Sequence, residues 1–371
     1  MEGLLMTEIY IFGAGIQGEI FLNTIKPLPN INPIGIIDGF SNKTSVQGLA
    51  VLRPEPIANK DVPIYISVGL ISSKIKAQLL SQGFTKVYDF TESLHAFPAI
   101  IEQLKVHSLW FDQDQSKRVD GAGIEQFRHL LSDDKSRQLL DQIVRFRTDF
   151  DIADYPIPDS QIQYFCEDVP ALATLERIRF IDAGAYIGDT LEQLFFAADK
   201  YNKVIEYCAS FEPDTANLTR LSRTSAKLSQ TNSSAHIFVY PAGVWSESAQ
   251  LSFDASQNTS SKLSLDSLDA TTINCVALDD VVYSAKPNFI KMDVEGAEVA
   301  ALNGARNIIQ DYTPVLAICL YHTPSDLWKI PALINEMNPN YDMYLRVYGD
   351  MLLETVLYCV PKPSASTLQN T

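Results

Sequence analysis

Basic charge is what this sequence lacks most: 29 lysines and arginines stand against 45 aspartates and glutamates, a formal net charge of −16. Holding a phosphodiester backbone needs a basic face that displaces counterions, so nucleic acid is excluded as a partner, and anionic membrane surfaces with it. The acidity reads instead as a solvated, self-repelling surface. Cysteine is scarce too. Cys166, Cys208, Cys275, Cys319 and Cys359 are odd in number, far apart and never in a C-x-x-C spacing, which excludes a disulfide framework and a zinc site. Several lie inside apolar runs such as LAICLYH and TVLYCVP, where a thiol behaves as a small buried hydrophobe. No uncharged apolar run reaches membrane-spanning length, and no basic region precedes a long apolar stretch near the N-terminus. A reducing, cytoplasmic setting without membrane insertion is expected.

What is present is core material. With 371 residues, 46% of them hydrophobic and 10% aromatic, the chain is globular and too long for one ordinary core. Strand-like and helix-like pieces alternate from Glu8 to about Phe90: EIYIFGAG, IQGEIFLNTI ending at Pro27 and Pro29, NPIGIID, VPIYISVG, SSKIKAQLLSQG and KVYDF. Such alternation predicts a parallel sheet with helices on its faces. From Leu94 to Cys166 the strand signal disappears, and IEQFRHLL and DKSRQLLDQIVRFR show helical periodicity, followed by an extended piece at Pro156 and Pro158. A second alternating region supplies RFIDAG, CASFEP, IFVYPAGV, NFIKMDVEG, VLAICLYH, YDMYLRVY and ETVLYCVP. The Ser-rich stretch around 257 to 270 reads as a mobile insertion over one face. The expected domains are 1–92, a helical connector over 93–165, and 166–371; the fold class is α/β with two Rossmann-like domains.

Two glycine turns carry nucleotide chemistry. Gly13-Ala14-Gly15-Ile16-Gln17-Gly18 is a complete G-x-G-x-x-G between a strand and a helix, with Asp38 ending the next strand about 20 residues on. The same glycines also suit a tight turn with no ligand, since fold does not guarantee a bound nucleotide. In IDAGAYIGDT a strand ends in Asp182 and turns through Gly184, Ala185 and Gly188 into a helix begun by Asp189 and Thr190. Further on, FEP places Glu212 and Pro213 at the end of the second strand, where a carboxylate accepts ribose hydroxyls. The turn holds no basic residue, and Asp182 and Asp189 flank it, which suits a ligand with ammonium and sulfonium groups better than a pyrophosphate.

From Asp182 to Pro361, the elements DAGAYIGDT, FEP, VALDD, IKMDVEGAE, LNGA, the strand ending in Tyr321-His322, YLRVYGD and ETVLYCVP resemble, in order, the FkbM-type methyltransferases. The resemblance covers about half the chain, with IKMDVEGAE its most specific element. The N-terminal part is similar to the small Rossmann domain that precedes the catalytic domain in some of these proteins and in certain sugar-modifying acyltransferases. Tyr186 departs from the generic acidic-x-G-x-G-x-G loop by standing where a middle glycine would. The resemblance implies a seven-strand methyltransferase sheet with an antiparallel closing hairpin near Gly349-Asp350. It also implies S-adenosylmethionine as cofactor, held by the turn, Glu212, Pro213 and Gly243, and a small acceptor, carbohydrate-related by analogy.

Methyl transfer to a hydroxyl needs alignment and a base. Two residues at strand ends qualify: His322, whose imidazole titrates near neutrality, and Asp293, which is also suited to contacting the cofactor or capping a helix. His322 equally fits a hydrogen-bonded packing residue. Asp279, Asp293, Glu295 and Glu298 form a possible oxygen ligand set, but helix-start electrostatics explain the glutamates and no metal is expected. For an NAD(P)-dependent oxidoreductase using Asp38, no Tyr-x-x-x-Lys pair follows the fourth strand of the N-terminal domain; a non-catalytic nucleotide-sugar-binding protein is the third reading. A homo-oligomer is compatible with all of them.

Overall fold

The computed structural model describes residues 6–232, 234–254, 262–264 and 271–363. The chain forms two compact units: residues 1–111, 142–158 and 349–353, and residues 112–141, 159–348 and 354–371.

The first unit contains β1 (Thr7–Phe12), α1 (Ile16–Ile25), β2 (Ile31–Ile37), β3 (Ser45–Val46), β4 (Leu49–Leu52), β5 (Ile64–Ile66), α2 (Ser72–Ser81), β6 (Val87–Tyr88), α3 (Phe90–Ala96) and α4 (Ala99–Leu104). Its sheet runs β3-β4-β2-β1-β5-β6, parallel except for the β3/β4 pair. Strand β1 alternates, burying Ile9 and Ile11 completely. Helix α1 turns Gly18, Phe21, Leu22 and Ile25 inward and stops just ahead of Pro27, as the two prolines require. The order of the sheet puts a topological switch point between β1 and β5.

In the second unit α5 (Gly121–Leu130) is capped by Asp120. Helix α6 (Asp134–Asp149) begins in this unit and ends in the other. After them come β7 (Arg177–Ala183), α7 (Asp189–Lys200), β8 (Val204–Phe211), α8 (Thr215–Thr231), β9 (His236–Tyr240), β10 (Gly243–Val244), β11 (Ala249–Asp254), β12 (Lys262–Ser264) and β13 (Thr271–Val276). Then follow α9 (Leu278–Val281), β14 (Phe289–Met292), α10 (Glu298–Asn303), α11 (Arg306–Tyr312), β15 (Val315–Cys319), α12 (Asp326–Met337), β16 (Tyr341–Val347) and β17 (Thr355–Pro361). Seven strands order as β16-β17-β15-β14-β7-β8-β9. All pairs are parallel but β15/β17 and β16/β17, so the antiparallel closing edge is present. Strands β14 and β15 are covered on both faces and consequently read as unbroken apolar runs, with one exception, Lys291.

A small sheet, β10-β13-β11-β12, lies between β9 and β14 in the sequence. Within the Ser-rich stretch read as a mobile insertion, residues 262–264 form a strand paired to β11, while 257–261 and 265–270 lie outside the described residues. The predicted helix AEVAALNGARNII is in fact two helices, α10 and α11. They part near Gly304, where a Cβ would come within 2.0 Å of the Trp245 carbonyl oxygen. All five cysteines are free and buried, and burial pushes each thiol up from its ordinary value. Among the described residues, no helix is long and apolar enough to cross a membrane.

Candidate active site

The second unit's candidate residues gather at the carboxyl ends of β7, β8, β14 and β15, around the switch point between β14 and β7. Asp182 stands opposite Lys291 in the β7/β14 register, and the ammonium lies 3.1 Å from its carboxylate. Asp182 is wholly buried, so the expectation that it offers charge to a cationic ligand is corrected: Lys291 already answers that charge below the turn. Burial pushes Asp182 up to about 6 against the pull of Lys291. Burial also disfavours the Lys291 cation, yet Asp182 and Asp293 hold it above the usual lysine value. Its Nζ donates to the Gly184 carbonyl at 2.6 Å, clamping the turn. Sequence reasoning passed over Lys291; the signal was a lysine inside an apolar strand, which demands a buried partner.

The turn itself rests on Phe211, whose carbonyl accepts from the N–H groups of Gly184 and Ala185 at 3.1 and 2.9 Å. Gly184 has φ +81, and a Cβ there would lie 1.8 Å from the Asp293 carbonyl oxygen. Only glycine fits, and the glycine turn therefore lies directly against the strand end that carries Asp293. Gly188, at φ +89, opens α7. Tyr186 adopts the same left-handed backbone, φ 47, at a cost of roughly 1–2 kcal/mol for a residue with a Cβ, and leaves its ring half exposed. Its N–H donates to Glu212 Oε2 at 2.9 Å, while Asp214 N–H donates to Oε1 at 2.8 Å. Glu212 thus pins the turn and keeps a spare lone pair on each oxygen. Burial raises it and the Asp214 N–H lowers it, for a net rise. Pro213 leads into Asp214, the N-cap of α8. On the first turn of α7, Asp189 is exposed and Thr190 buried. The atoms nearest a Cβ on Gly243 are those of Cys275, Ile273 and Asn274, so packing within the small sheet accounts for that glycine.

Beyond β14 and β15 lies an ion-pair network. His322 is buried, 3% exposed, with Nδ1 at 2.9 Å from Glu298 Oε1 and Nε2 at 3.3 Å from Asp293 and 3.5 Å from Glu295. Neither nitrogen points at a carboxylate well enough for a directed hydrogen bond, so the attraction is chiefly between charges. Burial opposes the imidazolium, but Glu298, Asp293 and Glu295 together raise His322 to about 10. This corrects the reading of His322 as a base titrating near neutrality: it is a cation at neutral pH and has no lone pair to offer. Asp293 accepts from the Tyr321 hydroxyl at 3.1 Å and from Tyr164 at 3.4 Å. Glu298 accepts the Val294 N–H at the head of α10. Glu295 keeps 44% of its side chain exposed, and burial of the rest raises it to about 7. Glu354, hydrogen-bonded by Gln163, is raised by burial to about 7 as well. Tyr164, Glu295 and Glu354 all have φ between 54 and 67, the strained region that concentrates at functional sites.

Asp279 is absent from this network. Its two oxygens accept the N–H groups of Asn307 and Ile308 at the start of α11, so the four-acid ligand set is corrected to a helix cap and a three-acid cluster. Asp293, Glu298 and His322 do bring ligand atoms together, as do Asp293, Cys319 and Glu354.

In the first unit, Gly13 (φ +113) and Gly18 are fixed by close neighbours: a Cβ would meet Ser67 Oγ at 2.6 Å and the Gly13 carbonyl oxygen at 1.9 Å respectively. Asp38 ends β2 and accepts from Ala14 N through Oδ2 at 2.9 Å, and from Phe40 N and Ser41 N through Oδ1.

Sheet order, closing hairpin and glycine turn define the second unit as a methyltransferase-type α/β domain. Residues 182–352 match the family model for the methyltransferase FkbM domain. Methyltransferase FkbM from Methylobacillus flagellatus KT shares the fold at 23% identity and a TM-score of 0.58, over 96% of this chain and 90% of that one. An rRNA methylase from Streptococcus thermophilus overlaps 51% of this chain and 88% of its own at 11% identity, with a TM-score of 0.30 that carries no argument. No curated protein matches. Nothing in these likenesses favours an oxidoreductase.

Proposed function

We propose that the second unit is an S-adenosylmethionine-dependent O-methyltransferase acting on a hydroxyl of a small, carbohydrate-related acceptor. The observation that carries this reading is the contact of Gly184 with the Asp293 carbonyl, which sets the glycine turn beside the acidic cluster. Donor and acceptor sites then share one strand end. The spare lone pairs of Glu212 suit ribose hydroxyls, and Gly184, Ala185, Gly188, Asp189 and Thr190 line the turn where the rest of the donor would lie. Bound there, the cofactor supplies an electrophilic methyl group on a sulfonium.

The chain's own groups must orient the acceptor and take its proton. Asp293 is held by the Tyr321 and Tyr164 hydroxyls and is 21% exposed, so it positions; Glu295, 44% exposed, is the more reachable carboxylate, and a base near neutrality is well matched to working pH. Glu295 would take the proton of the acceptor hydroxyl and Asp293 would help orient that hydroxyl, while the donor, held by Glu212 and the turn, would supply the methyl group. A site of carboxylates and tyrosine hydroxyls favours a neutral polyol over an anion.

Full-length protein should bind S-adenosylhomocysteine in calorimetry and transfer labelled methyl to a sugar-containing extract fraction; failure of the first removes the proposal. Because Glu295 acts as the carboxylate, turnover should rise as pH passes through about 7. Glu295→Gln should lower kcat by roughly 10²–10⁴-fold and erase that rise while leaving S-adenosylhomocysteine affinity intact. An unchanged pH profile in the variant would assign the proton elsewhere.

A further inference from the structure

The glycine turn of the first unit opens onto a cavity of about 440 Å³, within the range that holds small ligands. Its walls come from the carboxyl ends of three neighbouring strands: Gly15 after β1, Asp38, Phe40 and Lys43 after β2, Val68 and Ile71 after β5. This is the crevice at the switch point of an open parallel sheet. Gly15 differs from the other two glycines of the turn. Its φ of −85 suits any residue, and a Cβ placed on it meets nothing within 4 Å. The fold does not need a glycine there. What a side chain at position 15 would do is occupy the cavity and keep a ligand from the backbone.

The other walls are chemically sorted. No side chain caps the N-terminus of α1. The Lys43 ammonium sits next to it, 2.9 Å from the Ala14 carbonyl and 2.9 Å from Glu19. Asp38 Oδ2 carries one bond, from Ala14 N, which leaves it acceptor capacity; the Asp38 carboxyl is held below its ordinary value because burial is outweighed by N–H groups of Ser41, Ala14 and Phe40. At the rim Phe40 is 90% exposed and Ile71 45%, apolar surface left in water beside a polar crevice.

We propose that the first unit binds a nucleoside diphosphate group in this cavity, with phosphate on Gly15 and Lys43, ribose on Asp38 and the base against Phe40. The site is independent of the methyl-donor site. A dinucleotide and a nucleotide-sugar share this chemistry, and the test separates them.

Full-length protein saturated with S-adenosylhomocysteine is titrated with ADP, UDP, NADH and UDP-glucose by calorimetry. At least one should bind, and the member that binds tightest identifies the source. Gly15→Leu should weaken that binding by at least tenfold without moving the melting temperature, and Phe40→Ala by about tenfold, as loss of a stacking ring does. S-adenosylhomocysteine affinity should stay unchanged in both variants. The proposal is overturned if none of the four binds, if Gly15→Leu binds as well as the parent, or if S-adenosylhomocysteine competes with the nucleotide. The first two outcomes leave the methyltransferase reading untouched; the third would count against both readings.

Discussion

Replacing His322 by asparagine is expected to destabilise the second unit by about 3–5 kcal/mol, the cost of leaving a buried carboxylate without its counter-charge. Glu298 is fully buried, and His322 is the cation beside it. The effect depends on pH in a defined direction. The folded state holds the imidazole proton to about 10, while the unfolded chain releases it near 6.5. Stability from this group is therefore complete below about 6.5 and is lost as pH rises through 10. Urea denaturation at pH 6 and pH 9.5 should show a declining midpoint in the parent protein and a flatter response in His322→Asn. Equal midpoints for parent and variant at pH 6 would mean that the network contributes nothing to the fold.

The second large effect concerns the donor. Glu212→Ala should weaken S-adenosylhomocysteine at least about 100-fold, since two hydrogen bonds from ribose to an ionised acceptor are lost at roughly 1.5–3 kcal/mol each. The same carboxylate also holds the turn through Tyr186 N, so truncation alone would mix two causes. Glu212→Gln separates them: it keeps one carbonyl oxygen that can accept the Tyr186 N–H, so the near-ultraviolet tyrosine signal should stay parent-like while affinity falls. Parent-like affinity in both variants would take the ribose away from this residue.

The sheet of the second unit was legible because its strands are apolar runs bounded by turn residues. All seven quoted runs, from RFIDAG to ETVLYCVP, coincide with β7, β8, β9, β14, β15, β16 and β17. What escaped were contacts made across the fold. Lys291 meets Asp182 only through strand register, and Asp279 caps a helix nearly thirty residues further on. Histidine at a strand end suggested a base; three carboxylates arriving from the segment Asp293 to Glu298 turned it into a cation. The small sheet was missed since serine and asparagine around it mask the alternation of β11 and β13.

The buried sulfhydryls have a practical corollary. A protein whose five thiols neither ionise readily nor meet solvent is silent toward maleimide dyes while folded. One cysteine introduced at an exposed position would then be the sole attachment point for a fluorophore, so distances between chosen points can be followed without first removing any native residue.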